Sequence, residues 1–181
     1  MAEDKREKWL NYLAMTTVIF AVCATLATFK GGGYGSRALL NQTSASDQWA
    51  FYQSKSIKSA LTSNQKDNLE LQRELLSIET NSKESLSKYD AKISLYESSI
   101  KRYEEEKAVI KAKAEAFEKA RDDCQTHGSQ FGLAVIFLQV TILLSSIAGL
   151  LKKKPVWYLS LVVGAVGILF FLDGFLLFLK V

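Results

Sequence analysis

The chain has 181 residues, 48% of them hydrophobic, and a formal net charge of +4. The apolar residues fall into three blocks around a polar middle, with no alternating strand pattern and a single proline in the whole chain. This distribution excludes an ordinary soluble globule, and the absence of any aromatic-plus-basic motif argues against a nucleic-acid partner.

Residues 1–8 carry Lys5, Arg6 and Lys8 ahead of the first apolar block, Trp9–Phe29, which has no charge over 21 residues. At ~1.5 Å per residue such a block reaches roughly 30 Å, the thickness of a bilayer's hydrocarbon core. The mixed charges of "MAEDKREK" and the lack of an A-x-A site favour an uncleaved span over a signal peptide. Residues 30–46 follow. Gly31, Gly32, Gly33 and Gly35 read as the end of the helix and a flexible connector. Ser44 and Asp47 have capping-box spacing, so a new helix is expected from about residue 46.

Residues 47–127 read as an antiparallel coiled-coil hairpin, because a segment that leaves a membrane at Phe29 and returns at Phe131 must reverse. In the second arm one seam runs Leu86, Ile93, Ile100, Lys107, Ala114, Arg121. The other runs Tyr89, Tyr96, Tyr103, Ile110, Phe117, Cys124. In the first arm the seam is read as Ile57, Asn64, Leu71 and Ile78 with Leu61, Asn68 and Leu75. The two registers are out of phase across "ETNSKES", which places the tip near 80–84. Lys107 and Arg121 are expected to pack their stems and extend their heads to water. Three stacked tyrosines are wide for a two-helix seam, so the hairpin is expected to pack in a homo-oligomer. Cys124, on the same seam, is either a buried thiol or a disulfide to a second copy.

At the base of the first arm, Trp49, Phe51 and Tyr52 lie in "SASDQWAFYQSK". They are read as a juxtamembrane joint, packed against the returning arm around Phe117, Cys124 and His127 or dipping into lipid headgroups. This stretch also carries a resemblance. "ATFKGGGYGS" at 27–36 and "SASDQWAFYQSKSIK" at 44–58 resemble the "STFKGG" and "SQASDQWAFYQAKSIK" pattern of a family of bacterial membrane proteins classed only as a domain of unknown function. The resemblance implies the same order of elements along the whole chain and a place in the bacterial inner membrane. It implies no activity.

The second and third apolar blocks, Phe131–Leu151 and Val156–Leu179, are joined by "KKKP" at 152–155. A short basic loop belongs on the cytoplasmic side, as does the basic N-terminus, so the hairpin is expected in the periplasm. Asp173 is the only ionisable residue inside a block, and Gln139 is expected at nearly the same depth, within hydrogen-bonding reach. Ser160, Gly164, Gly167 and Gly174 form a small-residue stripe for helix packing, with a shorter one at Ser145 and Gly149.

The expected fold is therefore an all-α membrane protein with three transmembrane helices and a long extramembrane coiled-coil hairpin. No enzyme is expected. The single histidine, His127, has no catalytic company, "GGGYG" lacks the lysine of a phosphate loop, and no cofactor or metal spacing occurs. Two functions remain open. One is an oligomeric scaffold or accessory subunit of a membrane complex, with lipid, copies of itself and a second membrane protein as partners. The other is an oligomeric channel or transporter component with Asp173 near its path.

Overall fold

The computed structural model describes the backbone of residues 2–79 and 83–177, and the side chains of 8–78 and 83–177. It is all helical. Helix α1 spans Ala2–Glu79, α2 Lys83–Leu151 and α3 Lys154–Leu176. All three contain a stretch long and apolar enough to cross a membrane. The expected hairpin tip falls largely on residues 80–82, and the last residues of the third apolar block on 178–179; both lie outside the described residues. The chain divides into two compact units, the described residues of Met1–Leu40 with Ala120–Val181, and Asn41–Lys119.

The first unit is a three-helix bundle built from the parts of α1 and α2 that fall within it and from α3. Helices α2 and α3 run antiparallel through a turn in which Lys152 takes the left-handed conformation, at φ 53°. The Lys153 amide closes the turn on the Ala148 carbonyl at 3.3 Å. Pro155 then sits in the first turn of α3, where its missing N–H costs no intrahelical bond. From this turn the register is set by small residues. Ser145 donates to Ser160 at 3.0 Å, Gly164 lies against Thr141, Gly167 against Leu138 and Gly174 against Phe131. The α1 segment closes the bundle in three layers. Trp9 and Leu13 meet Ala148, Phe20 and Ala24 meet Leu138, and Ala27 meets Phe131 and Ala134. Trp157 Nε1 also reaches the Thr16 hydroxyl at 3.4 Å.

The interface of this unit mixes a few large residues, Trp9, Leu13, Phe20, Phe131 and Leu138, with alanine, glycine and serine opposite them, while Val18, Val22, Leu143 and Val162 stay exposed. Hydroxyls within the apolar stretches bond back to their own helix, as Thr17 does to Leu13, Thr28 to Ala24 and Thr141 to Phe137. Such back-bonding satisfies these hydroxyls without water.

Helix α1 corrects the reading of residues 30–46 as a connector. They are helical, and Ser44 lies inside the helix rather than at its start. A glycine in a helix costs roughly 1 kcal/mol against alanine. At Gly31 a compensation is visible, since an added Cβ would stand 3.2 Å from Phe131 Cβ. The absent side chain lets the two backbones approach. Gly32 and Gly33 face open space, and nothing in the structure explains them.

The second unit, Asn41–Lys119, is an antiparallel pair formed by the C-terminal part of α1 and the N-terminal part of α2. Along α2 the residues turned toward α1 repeat at 3–4 spacing. Leu86, Tyr89, Ile93, Tyr96, Ile100, Tyr103, Ile110 and Phe117 are the half-buried positions of this seam, with Ala114 fully buried. The α1 face that meets it is a different one from that expected. Tyr52, Lys55, Ser59, Thr62, Lys66, Leu69, Arg73 and Leu76 are turned inward. Ile57, Leu61, Asn64, Asn68, Leu71, Leu75 and Ile78 all lie exposed. The physical reason lies in the tyrosines. Wide aromatic rings accept lysine stems, and the ammonium groups find carboxylates at the edge of the seam. Lys55 lies over the Tyr103 ring at 5.4 Å and Lys107 over Tyr52 at 5.5 Å.

Candidate functional site

Two groups of residues stand out, one in each unit. In the bundle it is the meeting of all three helices around Phe131, Asp173 and Gly174. In the hairpin it is the ionic edge of the seam.

Phe131 is fully buried. Its ring stacks on Tyr34 at 5.9 Å and meets Phe171 and Phe175 edge-on at 6.1 and 5.0 Å. The ring also fills the space that Gly174 leaves, since a Cβ there would come within 2.9 Å of three ring carbons. Tyr34 stacks in turn on His127, with centroids 4.8 Å apart. His127 Nδ1 lies 2.8 Å from the Gly174 carbonyl. Because a carbonyl can only accept, Nδ1 carries the proton. Asp173, next in the chain, is fully buried, and its backbone carbonyl accepts the Leu177 amide at 2.7 Å to end α3. Gln130 is also buried.

Asp173 and Gln139 do not meet. In the register fixed by the turn, Asp173 stands level with the Phe131 end of α2. Gln139 lies eight positions further along α2, about 12 Å deeper, and on its exposed side. Aligning the two apolar blocks by their outer ends misplaced the pair; helices joined by a tight turn are aligned from the turn. Ser160, Gly164, Gly167 and Gly174 are all buried in the interface with α2 and α1. At Gly167 an added Cβ would stand 2.9 Å from Leu138 Cγ and 3.2 Å from the Leu138 backbone nitrogen.

Sequence reasoning missed the Tyr34–His127–Gly174 chain and the close approach at Gly31 and Gly128. The glycine spacing was no dependable signal, because Gly31 and Gly128 lie at the approach while Gly35 and Gly132, four positions on from each, face open space.

In the hairpin, Trp49 Nε1 donates to Glu118 Oε1 at 2.8 Å, and its ring meets Tyr52 edge-on at 5.6 Å. Two of the three expected joint residues thus sit against the returning arm, while Phe51 is exposed. Their neighbours are Glu118 and Lys107, rather than Cys124 and His127, which belong to the other unit. Above them runs a ladder of ion pairs and hydrogen bonds. Lys55 pairs with Glu106, Ser59 donates to Glu104 at 2.8 Å, Lys66 reaches Glu97 at 3.1 Å, and Arg73 pairs with Asp90. Lys107 packs its stem in the seam and turns its head to Glu104 at 2.9 Å.

These contacts shift protonation in predictable directions. The Lys107 ammonium and the Ser59 hydroxyl hold Glu104 below the usual carboxylate value of 4.5, and Lys55 does the same for Glu106. Glu97, with Glu70, raises Lys66 above its ordinary 10.5, and Asp90 raises Arg73. A depressed carboxylate contributes stability above its unfolded value, which is lost as pH falls through the folded one. A raised lysine contributes below its unfolded value and loses that as pH rises. Hairpin stability is therefore expected to be flat between about pH 5 and pH 10 and to decline on both sides. Thermal unfolding followed by circular dichroism across pH checks this, and the Glu104→Gln, Glu106→Gln variant should lose most of the acid decline. The groups are exposed, so the effect is modest and weakens with salt.

Compared with known protein families, residues 9–177 match the one described as a domain of unknown function, DUF4337. The chain belongs to the DUF4337 family. The match covers the apolar segments and the hairpin together, so the bundle and the seam described above are both within the DUF4337 region. No curated protein and no solved structure matches the chain. Among the described residues, no group of three or more His, Cys, Asp or Glu side chains could hold a metal ion.

Proposed function

We propose that this DUF4337 protein is a membrane-anchored, oligomeric scaffold or accessory subunit of a membrane complex, without catalytic activity. The bundle would cross the bacterial inner membrane three times, with the N-terminus and the 152–153 turn in the cytoplasm and the hairpin in the periplasm. One observation carries this reading: α3 turns Ser160, Gly164, Gly167 and Gly174 to its neighbours and leaves Leu159, Val162 and Leu169 exposed. That arrangement leaves apolar bulk for lipid and close backbone approach for helix association. Lys152, Lys153 and Lys154 at the turn suit the cytoplasmic face.

A channel or transporter component is the second reading, favoured by the full burial of Asp173. It is the weaker of the two, because Gln139, the other polar residue of the pair, is on the far side of its helix. The deciding experiment extracts the complex in mild detergent, measures its mass and identifies its contents, then reconstitutes it in liposomes. A defined assembly that leaves ion permeability unchanged is the expected result. Ion flux that is abolished by Asp173→Asn would replace this reading with the second, and a solitary chain would overturn it.

A further inference from the structure

The hairpin leaves its most regular apolar pattern unused. Ile57, Leu61, Leu71, Leu75 and Ile78 are between 54% and 78% exposed. With Asn64 and Asn68 they form an unbroken 4–3–4–3 series on one side of α1, opposite the polar face that meets α2. They lie in the charged part of the chain, where lipid tails are not the expected solvent. On a straight helix a seven-residue repeat drifts ~20° per heptad, but α1 packs on α2 through a seven-residue repeat of its own, so the stripe runs as one continuous strip along the outside of the pair, with the spacing a further helix would need.

We propose that this stripe is the surface on which the first arms of two or more copies of this chain associate, in parallel and in register. The inference rests on the oligomeric reading above and names its interface. Three features favour a second copy as occupant. Copies inserted in one membrane share their orientation, so their first arms run in the same direction from the same starting residue. Asn64 and Asn68 break an otherwise aliphatic seam, and a carboxamide both donates and accepts. Aligned in register, each asparagine meets its own counterpart and the two amides satisfy one another. A shift of one heptad would set Asn64 against Ile57 or Leu71 and bury an amide without a partner. Such polar seam residues fix register at a cost in stability. Finally, between Gln53 and Gln72 the flanking positions of aligned copies pair Gln53 with Lys58, Ala60 with Gln65 and Asp67 with Gln72. No like charges oppose each other there, and the one like pair in the stripe, Glu74 with Glu79, falls at its far end.

The arrangement also accounts for the unusual composition of the hairpin's own seam. The first arm gives chiefly lysines, an arginine and small polar residues to its antiparallel partner, with Tyr52, Leu69 and Leu76, and leaves five of its aliphatic residues for its copies.

The test uses the full chain in native membranes, with Cys23→Ser and Cys124→Ser. Single cysteines are placed on the stripe, as Ile57→Cys or Leu71→Cys, and on a flank exposed to solvent, as Glu70→Cys. After mild oxidation, non-reducing gels should show a dimer of this chain at positions 57 and 71 and little or none at 70. Adding Leu61→Asp and Leu75→Asp should abolish the dimer band and lower the mass of the extracted complex. Helical content should be unchanged, because both leucines are exposed in the single chain. Failure to crosslink at 57 and 71, equal crosslinking at 70, or a disulfide to a different protein would overturn the proposal. An assembly whose mass is unaffected by the two aspartates would overturn this interface and leave the oligomeric reading intact. A monomeric wild type would overturn both.

Discussion

Replacing Phe131 with alanine is expected to cause the largest loss of stability of any single substitution in the bundle, about 3 kcal/mol. Phe131 touches all three helices of that unit. Its ring meets Tyr34 in α1 and Phe171 and Phe175 in α3, and it occupies the hollow over Gly174. Truncation would remove these dispersion contacts together and leave a space that three packed helices cannot readily collapse. The figure is set at the low end for phenylalanine because lipid, in place of water, lowers the transfer contribution. The midpoint of unfolding on titration of sodium dodecyl sulfate into mild detergent, followed by tryptophan emission, measures it. Trp9 and Trp157 report on the same bundle, with their rings 6.1 Å apart. Phe131→Leu should recover part of the loss. A Phe131→Ala protein with an unchanged midpoint would show that the three helices are not held together at this point.

The second large effect is expected from the opposite change, adding bulk at Gly164 and Gly167. A Cβ at Gly164 would stand 2.5 Å from the Phe20 ring and 2.9 Å from Thr141 Cγ2. Phe20 can turn aside, at the expense of its contacts with Ala24 and Leu138. At Gly167 the obstacle includes the backbone of Leu138, which cannot move without shifting α2. Valine at either position should cost roughly 1–3 kcal/mol, and the double variant more than either alone. Gly167→Ala should already be destabilising, whereas Gly32→Ala, with open space around it, should be neutral or mildly stabilising. The same detergent titration distinguishes them. Labelling of half-buried Cys23, which packs against this layer, should accelerate in the Gly164 and Gly167 variants alone.

The parts of the fold that were legible in the sequence are those in which one physical rule acts without competition. Three apolar stretches, two of them uncharged and the third with Asp173 alone, give three apolar helical segments, and Leu86 to Phe117 keep their 3–4 spacing because aromatic and aliphatic residues there have one neighbour to meet. The first arm was misread for an instructive reason. The rule that the most apolar stripe faces the nearest helix assumes that the nearest helix is in the same chain. Here Lys55, Lys66 and Arg73 take that place, Lys55 over the Tyr103 ring and the three charges matched by Glu106, Glu97 and Asp90.

Glycines 31–35 show a second kind of failure. Glycine weakens a helix in water, so a cluster of it reads as an end. At Gly31 the same lack of a side chain brings two backbones together, and the helix continues. The contact of His127 with the Gly174 carbonyl had no signal at all. It joins residues 47 positions apart in sequence, through an alignment that only the turn at Lys152 sets. Asp173 was identified as a residue set apart by its chemistry, but its depth depended on that same turn.

The distribution of bulk in the bundle determines where this protein can change. In most soluble domains the largest side chains are the least replaceable. Here Val162, 65% exposed, would accept any apolar residue of helical propensity, while Gly167, five positions on and set against the Leu138 backbone, should not accept even one added methyl. A saturation scan of α3 would therefore read as the inverse of a soluble helix. Its strictest positions would be those with the fewest atoms, and its bulkiest would be nearly interchangeable. Among relatives that drift under this constraint, the small residues would keep the record of how the helices fit, and the large ones would record little beyond their dislike of water.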